Sequence, residues 1–224
     1  MAMSGSLHWP GAAMVEATDW LSLDLVNTDP QARHRRGRED LLPDYGSLVQ
    51  WARHEGLVTD AAARRLLAAA ATQPQQAVAA HARVLELRRA LYAVLAAAAH
   101  QHPLPGWALE AVNAELAATA APARLVPAGA GLRREWLDPT NQLDWLLGPI
   151  MRSAADVLTS AAIGQLKQCP GSPGRPCGLL FLDQTKNHSR RWCSSSTCGN
   201  RTRLHRHYTR SRAHRQGKTA TGHD

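Results

Sequence analysis

The sequence predicts a mainly α-helical protein: an N-terminal helical domain with one small β-hairpin, then a C-terminal module of β-hairpin and helix. Three observations predict it. Ala- and Leu-rich stretches dominate residues 60–120, and Ala has the best intrinsic helix propensity. All four cysteines fall in the last quarter, as Cys169-x7-Cys177-x15-Cys193-x4-Cys198. Charge divides along with them: residues 1–156 hold 14 Lys+Arg against 16 Asp+Glu, whereas residues 157–224 hold 12 against Asp183 and Asp224 alone. Two parts of opposite electrostatic character imply two jobs.

In chain order, residues 1–18 read as a poorly ordered start, and a helical domain is expected over 19–160. Trp20-Leu21-Ser22-Leu23-Asp24-Leu25-Val26-Asn27-Thr28 fits a short helix or a strand, with helix preferred, and Arg33 to Arg38 forms a basic loop. Tyr45 to His54 is a short helix carrying Leu48, Val49 and Trp51. Thr59 is a suitable N-cap for a helix over 60–72. Pro74 fits the first turn of the next helix, where its missing N–H costs nothing. That helix runs to about His100, with Val78, Val84, Leu85, Leu87, Leu91 and Leu95 as its apolar face. Pro105 opens another, to about Ala118. Ala123–Pro127 and Leu132–Trp136, joined by Ala-Gly-Ala-Gly, read as a β-hairpin. Asp138-Pro139 reads as a helix start, with Leu143, Leu146, Leu147, Ile150 and Met151 following, a break near Gly148-Pro149 and an end near Ser160.

The cysteine module is expected over residues 161–214. Gln165 to Gln168 forms a short strand leading to Cys169, and a Pro- and Gly-rich loop joins Cys169 to Cys177. Leu179–Asp183 and Ser189–Cys193 read as two strands across a polar turn, and Cys198 opens a helix from Thr197 to about Arg212. This is a treble-clef-like layout. Four thiolates in two short-spaced pairs are the ligand set of a closed structural zinc site, so Cys169, Cys177, Cys193 and Cys198 are the candidate Zn2+ ligands. With four cysteines present, His188 and His205 read as surface residues. A disulfide pairing is the alternative, less suited to a reducing compartment. A module this small buries little apolar surface, so the metal is expected to supply much of its folding energy.

No acid occurs from Gln184 to His223, and a basic chain without interleaved acids is the footprint of a polyanion contact. On a helical wheel that starts at Cys198, Leu204, Tyr208 and Arg201 fall toward the metal and the hairpin. Asn200, Arg203, Arg206, His207 and Arg210 fall outward. Arg203, Arg206 and Arg210 recur at i, i+3 and i+7, a spacing that presents several guanidiniums to one groove. Residues 215–224 are expected to be a disordered tail.

Cys177-Gly178-Leu179-Leu180-Phe181-Leu182-Asp183, Arg190-Arg191-Trp192-Cys193 and Cys198-Gly199-Asn200-Arg201 together closely resemble the CGNR zinc finger. In that family the finger is typically joined to an N-terminal helical ABATE domain, in proteins regarded as candidate stress-induced transcription regulators. Leu23-Asp24-Leu25-Val26-Asn27-Thr28 is similar to that domain's entry motif. The resemblance implies that the four cysteines bind zinc. Asn200 and Arg201 match the motif that names the finger; Arg190, Arg191 and Trp192 match its hairpin signature. The seven residues between Cys169 and Cys177 make a longer loop than the family pattern leads one to expect.

The expected function is a DNA-binding transcription regulator, whose N-terminal domain senses a small-molecule ligand or forms a homodimer. Candidate nucleic-acid contacts are Arg190, Asn200, Arg203, Arg206, His207 and Arg210, with Arg191, Trp192 and Arg201 holding the finger together. The alternative is an RNA- or protein-binding zinc module without a regulatory DNA site. Oxidation of zinc-bound thiolates would add a redox response. An enzyme is not expected. Asp24, Asn27, Asp29, His34, Glu39 and Asp40 could line a pocket, but no nucleophile–base pair, phosphate loop or His-Glu-x-x-His motif accompanies them. No signal peptide or 18-residue apolar run is visible, so a cytoplasmic protein is expected, nucleoid-associated if it binds DNA and without membrane partners.

Overall fold

A computed structural model describes residues 20–30, 39–119, 123–128, 131–136 and 142–220. The expected poorly ordered start, the basic loop Arg33–Arg38, and the Asp138-Pro139 helix start lie outside the described residues.

Helices α1 (Leu21–Val26), α2 (Tyr45–His54), α3 (Asp60–Thr72), α4 (Pro74–Ala99) and α5 (Gly106–Ala118) come first. Local chemistry sets the starts of three of them. Asp44 and Thr59 accept hydrogen bonds from Ser47 N and Ala62 N, and Pro74 occupies the first turn of α4. Strands β1 (Ala123–Ala128) and β2 (Gly131–Trp136) then pair antiparallel, from Ala123 opposite Trp136 to Ala128 opposite Gly131.

Helix α6 (Leu147–Thr159) starts later than the sequence suggested. Gly148-Pro149 is therefore no mid-helix break. Pro149 sits in the first turn, where backbone N–H groups have no intrahelical acceptor to lose.

With 26 residues, α4 is the longest helix, and α1, α2, α3, α5 and α6 all pack on it. Val84, Leu87, Leu91 and Leu95 are buried along it as expected, but Val78 is 69% exposed. Val78 lies on the opposite side of the wheel from Val84 and Leu91, and Ala77 and Ala80 take the inward positions instead.

After a 3-10 turn (Ala161–Gln165) the chain forms β3 (Leu166–Gln168) and β4 (Leu180–Leu182), paired antiparallel around the Cys169–Cys177 loop. The strand pairing differs from the one read in the sequence. Residues 189–193 form no strand, and β3 takes the place beside β4. Side chains occupy the backbone groups a ladder would need: Lys167 Nζ donates to His188 O (2.5 Å) and Arg190 O (3.2 Å), and Arg190 N donates to Asp183 Oδ2 (2.8 Å).

Alternation along β4 ties the two parts together. Leu180 and Leu182, with Leu166 of β3, belong to the main helical core, whereas Phe181 points into a second cluster with Cys169 and Cys198. A π-type turn (Ser195–Gly199), capped by the Ser194 side chain on Thr197 N, leads into α7 (Asn200–Ala220). Helix α7 continues beyond the expected end near Arg212, so residues 215–220, expected in a disordered tail, are helical.

Candidate metal centre and nucleic-acid interface

Cys169 follows β3, Cys177 precedes β4, Cys193 precedes the π-type turn, and Cys198 lies within it. Their four sulfur atoms all lie within 4.8 Å of one another. Cys193 Sγ is 3.9 Å from Cys177 Sγ and 3.8 Å from Cys198 Sγ. A tetrahedron of zinc–sulfur bonds of about 2.3 Å has sulfur–sulfur edges of about 3.8 Å, so the spacing fits the ion. All four cysteines are free, and the separations are nearly twice the roughly 2 Å of a disulfide, which removes that alternative. His188 and His205 stand outside the cluster.

Thiol chemistry agrees with the geometry. Hydrogen bonds from the Cys177 and Cys193 thiols, together with the N–H groups of Cys193 and Gly171, hold the Cys169 thiol far below its usual range. Its bond to Cys169, with burial, pushes the Cys177 thiol up to about 12, and bonds to Cys169 and Cys177 raise Cys193 as well. A divalent ion bound among them would stabilise all four as thiolates. Zinc, when bound, supplies a closed structural crosslink, because four cysteine ligands fill its tetrahedron.

Around the sulfurs, Trp192 packs on the cluster and donates from Nε1 to Gly171 O at 3.2 Å. The Arg190 guanidinium lies 4.7 Å over the Phe181 ring and donates to Trp192 O (3.0 Å) and Cys193 O. Arg190, a candidate nucleic-acid contact from the sequence, thus has its guanidinium on the finger's own carbonyls. Arg191 stacks over Trp192 at 5.4 Å. Asp183 is buried and accepts from Lys167 Nζ (2.5 Å), Thr185 Oγ1 (2.6 Å), Thr185 N (3.1 Å) and Arg190 N (2.8 Å). Desolvation would raise its pKa, but these donors outweigh it and hold the carboxyl well below the ordinary range.

In α7 the wheel reading holds on one side and fails on the other. Asn200, Arg203, Arg206, His207 and Arg210 are exposed, and Arg201 is half-buried. Leu204 and Tyr208, expected to face the metal, are 49% and 70% exposed. The finger is too short to reach them. Thr202, one turn beyond Cys198, is the last buried residue of the described side chains of the helix, donating to Cys198 O (2.9 Å) and Gly171 O (3.3 Å). Arg203 also donates to Ser195 O at 3.1 Å.

Three of the polar residues near the N-terminus, Asn27, Asp29 and Asp40, are held by partners within the fold. Arg88, with a side chain only 5% exposed, pairs with Asp40 (2.5 Å) and approaches Asp29 (3.6 Å). Asn27 hydrogen-bonds the backbone of Leu180 through both its amide atoms. Sequence reasoning had singled out Asn27 inside its motif without seeing this partner, and it missed Tyr92, Gln168 and Lys167, which lie in no motif.

A helical domain packed on a four-cysteine zinc finger is thus the class of protein that the fold and site define. A family model for ABATE, described as "Putative stress-induced transcription regulator", matches residues 19–161. A model for the CGNR zinc finger matches residues 165–211. The first match spans more than half of the chain, which belongs to the ABATE family and carries a CGNR zinc finger. Both families are of regulatory or zinc-finger type rather than enzymatic. No curated protein matches the chain. Among the described residues, no helix is long and apolar enough to cross a membrane.

Proposed function

We propose that this chain is a DNA-binding transcription regulator whose zinc finger fixes the first turn of α7 and offers the rest of that helix to the duplex. The observation that carries this reading is the combination of exposure and sign. From Arg203 to Arg210 every residue is exposed, and α7 contains no acid. A solvated helix face ordinarily interleaves both signs, whereas an acid-free helix of 21 residues suits a phosphate-lined groove. Arg206, His207 and Arg210 would make the outer contacts, with Asn200 and Arg203 nearer the finger and Arg190 bracing it. In this scheme the helical domain senses a ligand or joins a second copy, and the protein acts in the cytoplasm without catalysing a reaction.

The test is a mobility-shift assay on genomic DNA fragments at two salt concentrations, with RNA as competitor. Binding that weakens steeply with salt and resists RNA supports the reading. No shift at either salt refutes it, and displacement by RNA at equal concentration moves the assignment to RNA.

A further inference from the structure

Two residues of the helical domain reach the metal knuckle, each at the far end of a peptide plane that touches a ligand cysteine. In the peptide joining Gly178 to Leu179, Tyr92 Oη donates to Gly178 O at 3.1 Å, and the Leu179 N–H hydrogen-bonds the Cys177 sulfur. In the next peptide, Leu179 O accepts from Cys169 N at 2.8 Å, and Leu180 N donates to Asn27 Oδ1 at 2.9 Å. Asn27 Nδ2 returns a bond to Leu180 O, also 2.9 Å, gripping that residue as a neighbouring strand would. Because a peptide is a rigid plane, fixing one end aims the other.

Both gripping residues are fixed from behind. Thr28, next to Asn27, accepts from Arg88 Nη1 at 3.0 Å, and Arg88 lies one turn before Tyr92 on α4. Gln168 Nε2 closes the arrangement by donating to Tyr92 Oη (2.7 Å) and Gly178 O (3.3 Å).

We propose that Tyr92 and Asn27 are positioning residues for the zinc ligands, so that the packing of α1 on α4 sets the metal affinity of the finger. Partners behind a metal's own ligands commonly change affinity by about ten- to a hundredfold. The coupling is reciprocal: zinc tightens the α1–α4 contact, and any event that shifts α1 against α4 loosens zinc.

Tyr92→Phe and Asn27→Ala test this in the full chain, with zinc affinity read by competition against a chromogenic chelator and stability by thermal melting of the zinc-saturated protein. Tyr45→Phe is the control, since the buried Tyr45 hydroxyl donates to Leu143 O at 2.9 Å, within the helical domain. All three variants should melt lower. Tyr92→Phe and Asn27→Ala should weaken zinc binding by about ten- to a hundredfold. Tyr45→Phe should leave it within about twofold, as sites without shared partners act independently. Wild-type affinity in Tyr92→Phe overturns the proposal, as does an equal loss in Tyr45→Phe. If Asn27→Ala does not fold, Tyr92→Phe alone decides.

Discussion

At Gly171 the backbone takes a φ of +75°, and a Cβ there would lie 2.4 Å from Arg175 O and 2.5 Å from Cys177 N. Neither backbone atom can retreat without opening the loop that brings Cys169 to Cys177. Gly174, in the same loop at φ +70°, has nothing within 4 Å of such a Cβ. The two glycines therefore separate strain from collision. Gly174→Ala should cost only the left-handed penalty, roughly 1–2 kcal/mol, and keep stoichiometric zinc. Gly171→Ala should lose zinc under a chelator that leaves the wild type loaded; equal zinc retention in both variants contradicts the geometry. Asp24 gives a second residue-scale prediction. Burial, with a smaller push from Glu55, raises its pKa to about 7, above the unfolded value of about 3.9. Between those values the folded chain binds the proton more tightly, so stability falls as pH rises from about 4 to 7 and stays low above. Asp24→Asn removes the charge at nearly constant shape. It should raise the melting temperature at pH 8 and leave it nearly unchanged at pH 4.5; the same shift at both pH values would argue against a buried charge.

Helix α7 shows at the element scale how a short anchor can present a long lever. Thr202 fixes the first turn through the Cys198 and Gly171 carbonyls, and the exposed arginines follow it. If Arg206 and Arg210 neutralise one phosphate each, Arg206→Gln with Arg210→Gln should reduce the slope of log affinity against log salt by about 2. Zinc content should not change, because neither side chain touches the finger's cysteine cluster. A slope equal to the wild type would place the contacts elsewhere. The elements read correctly from sequence are those whose cause is local: the Thr59 cap, Pro74 at a helix start, and the antiparallel pairing of β1 with β2. The cysteine set was legible because the chain has only four cysteines, in two short-spaced pairs that suit a closed zinc site. The β3–β4 pairing was not, because the side chains that take up the backbone groups at His188 and Arg190 are Asp183 and a lysine more than 20 residues away in sequence. Leu204 and Tyr208 failed for want of a length: periodicity tells which face is apolar, not how far the partner extends.

For the whole molecule, the family boundary between residues 161 and 165 divides the sequence where the core is continuous. Leu166, Leu180 and Leu182 lie on the finger side of that boundary, yet all three are buried in the helical core. Full burial of a leucine is worth roughly 1.5–3 kcal/mol, so their joint contribution is comparable with the stability of a small domain. Zinc holds the loop between the two strands that carry them, and a ligand bound only by the folded state stabilises that state, by about 2.7 kcal/mol at a hundred times its dissociation constant. The metal is therefore expected to act as a folding ligand of the whole chain. Stripped of zinc, this chain should still melt in one transition, shifted downward, with the far-UV helical signal moving together with the tryptophan emission. Two separate transitions, with the helical signal unmoved by chelation, would mean independent modules. The converse experiment is the excised segment 161–224, which exposes the three leucines and lacks Asn27 and Tyr92. It should bind zinc more weakly than the full chain in the same chelator competition. Equal affinity would show that the finger needs nothing from the helices, and the continuous core would then be a matter of packing alone.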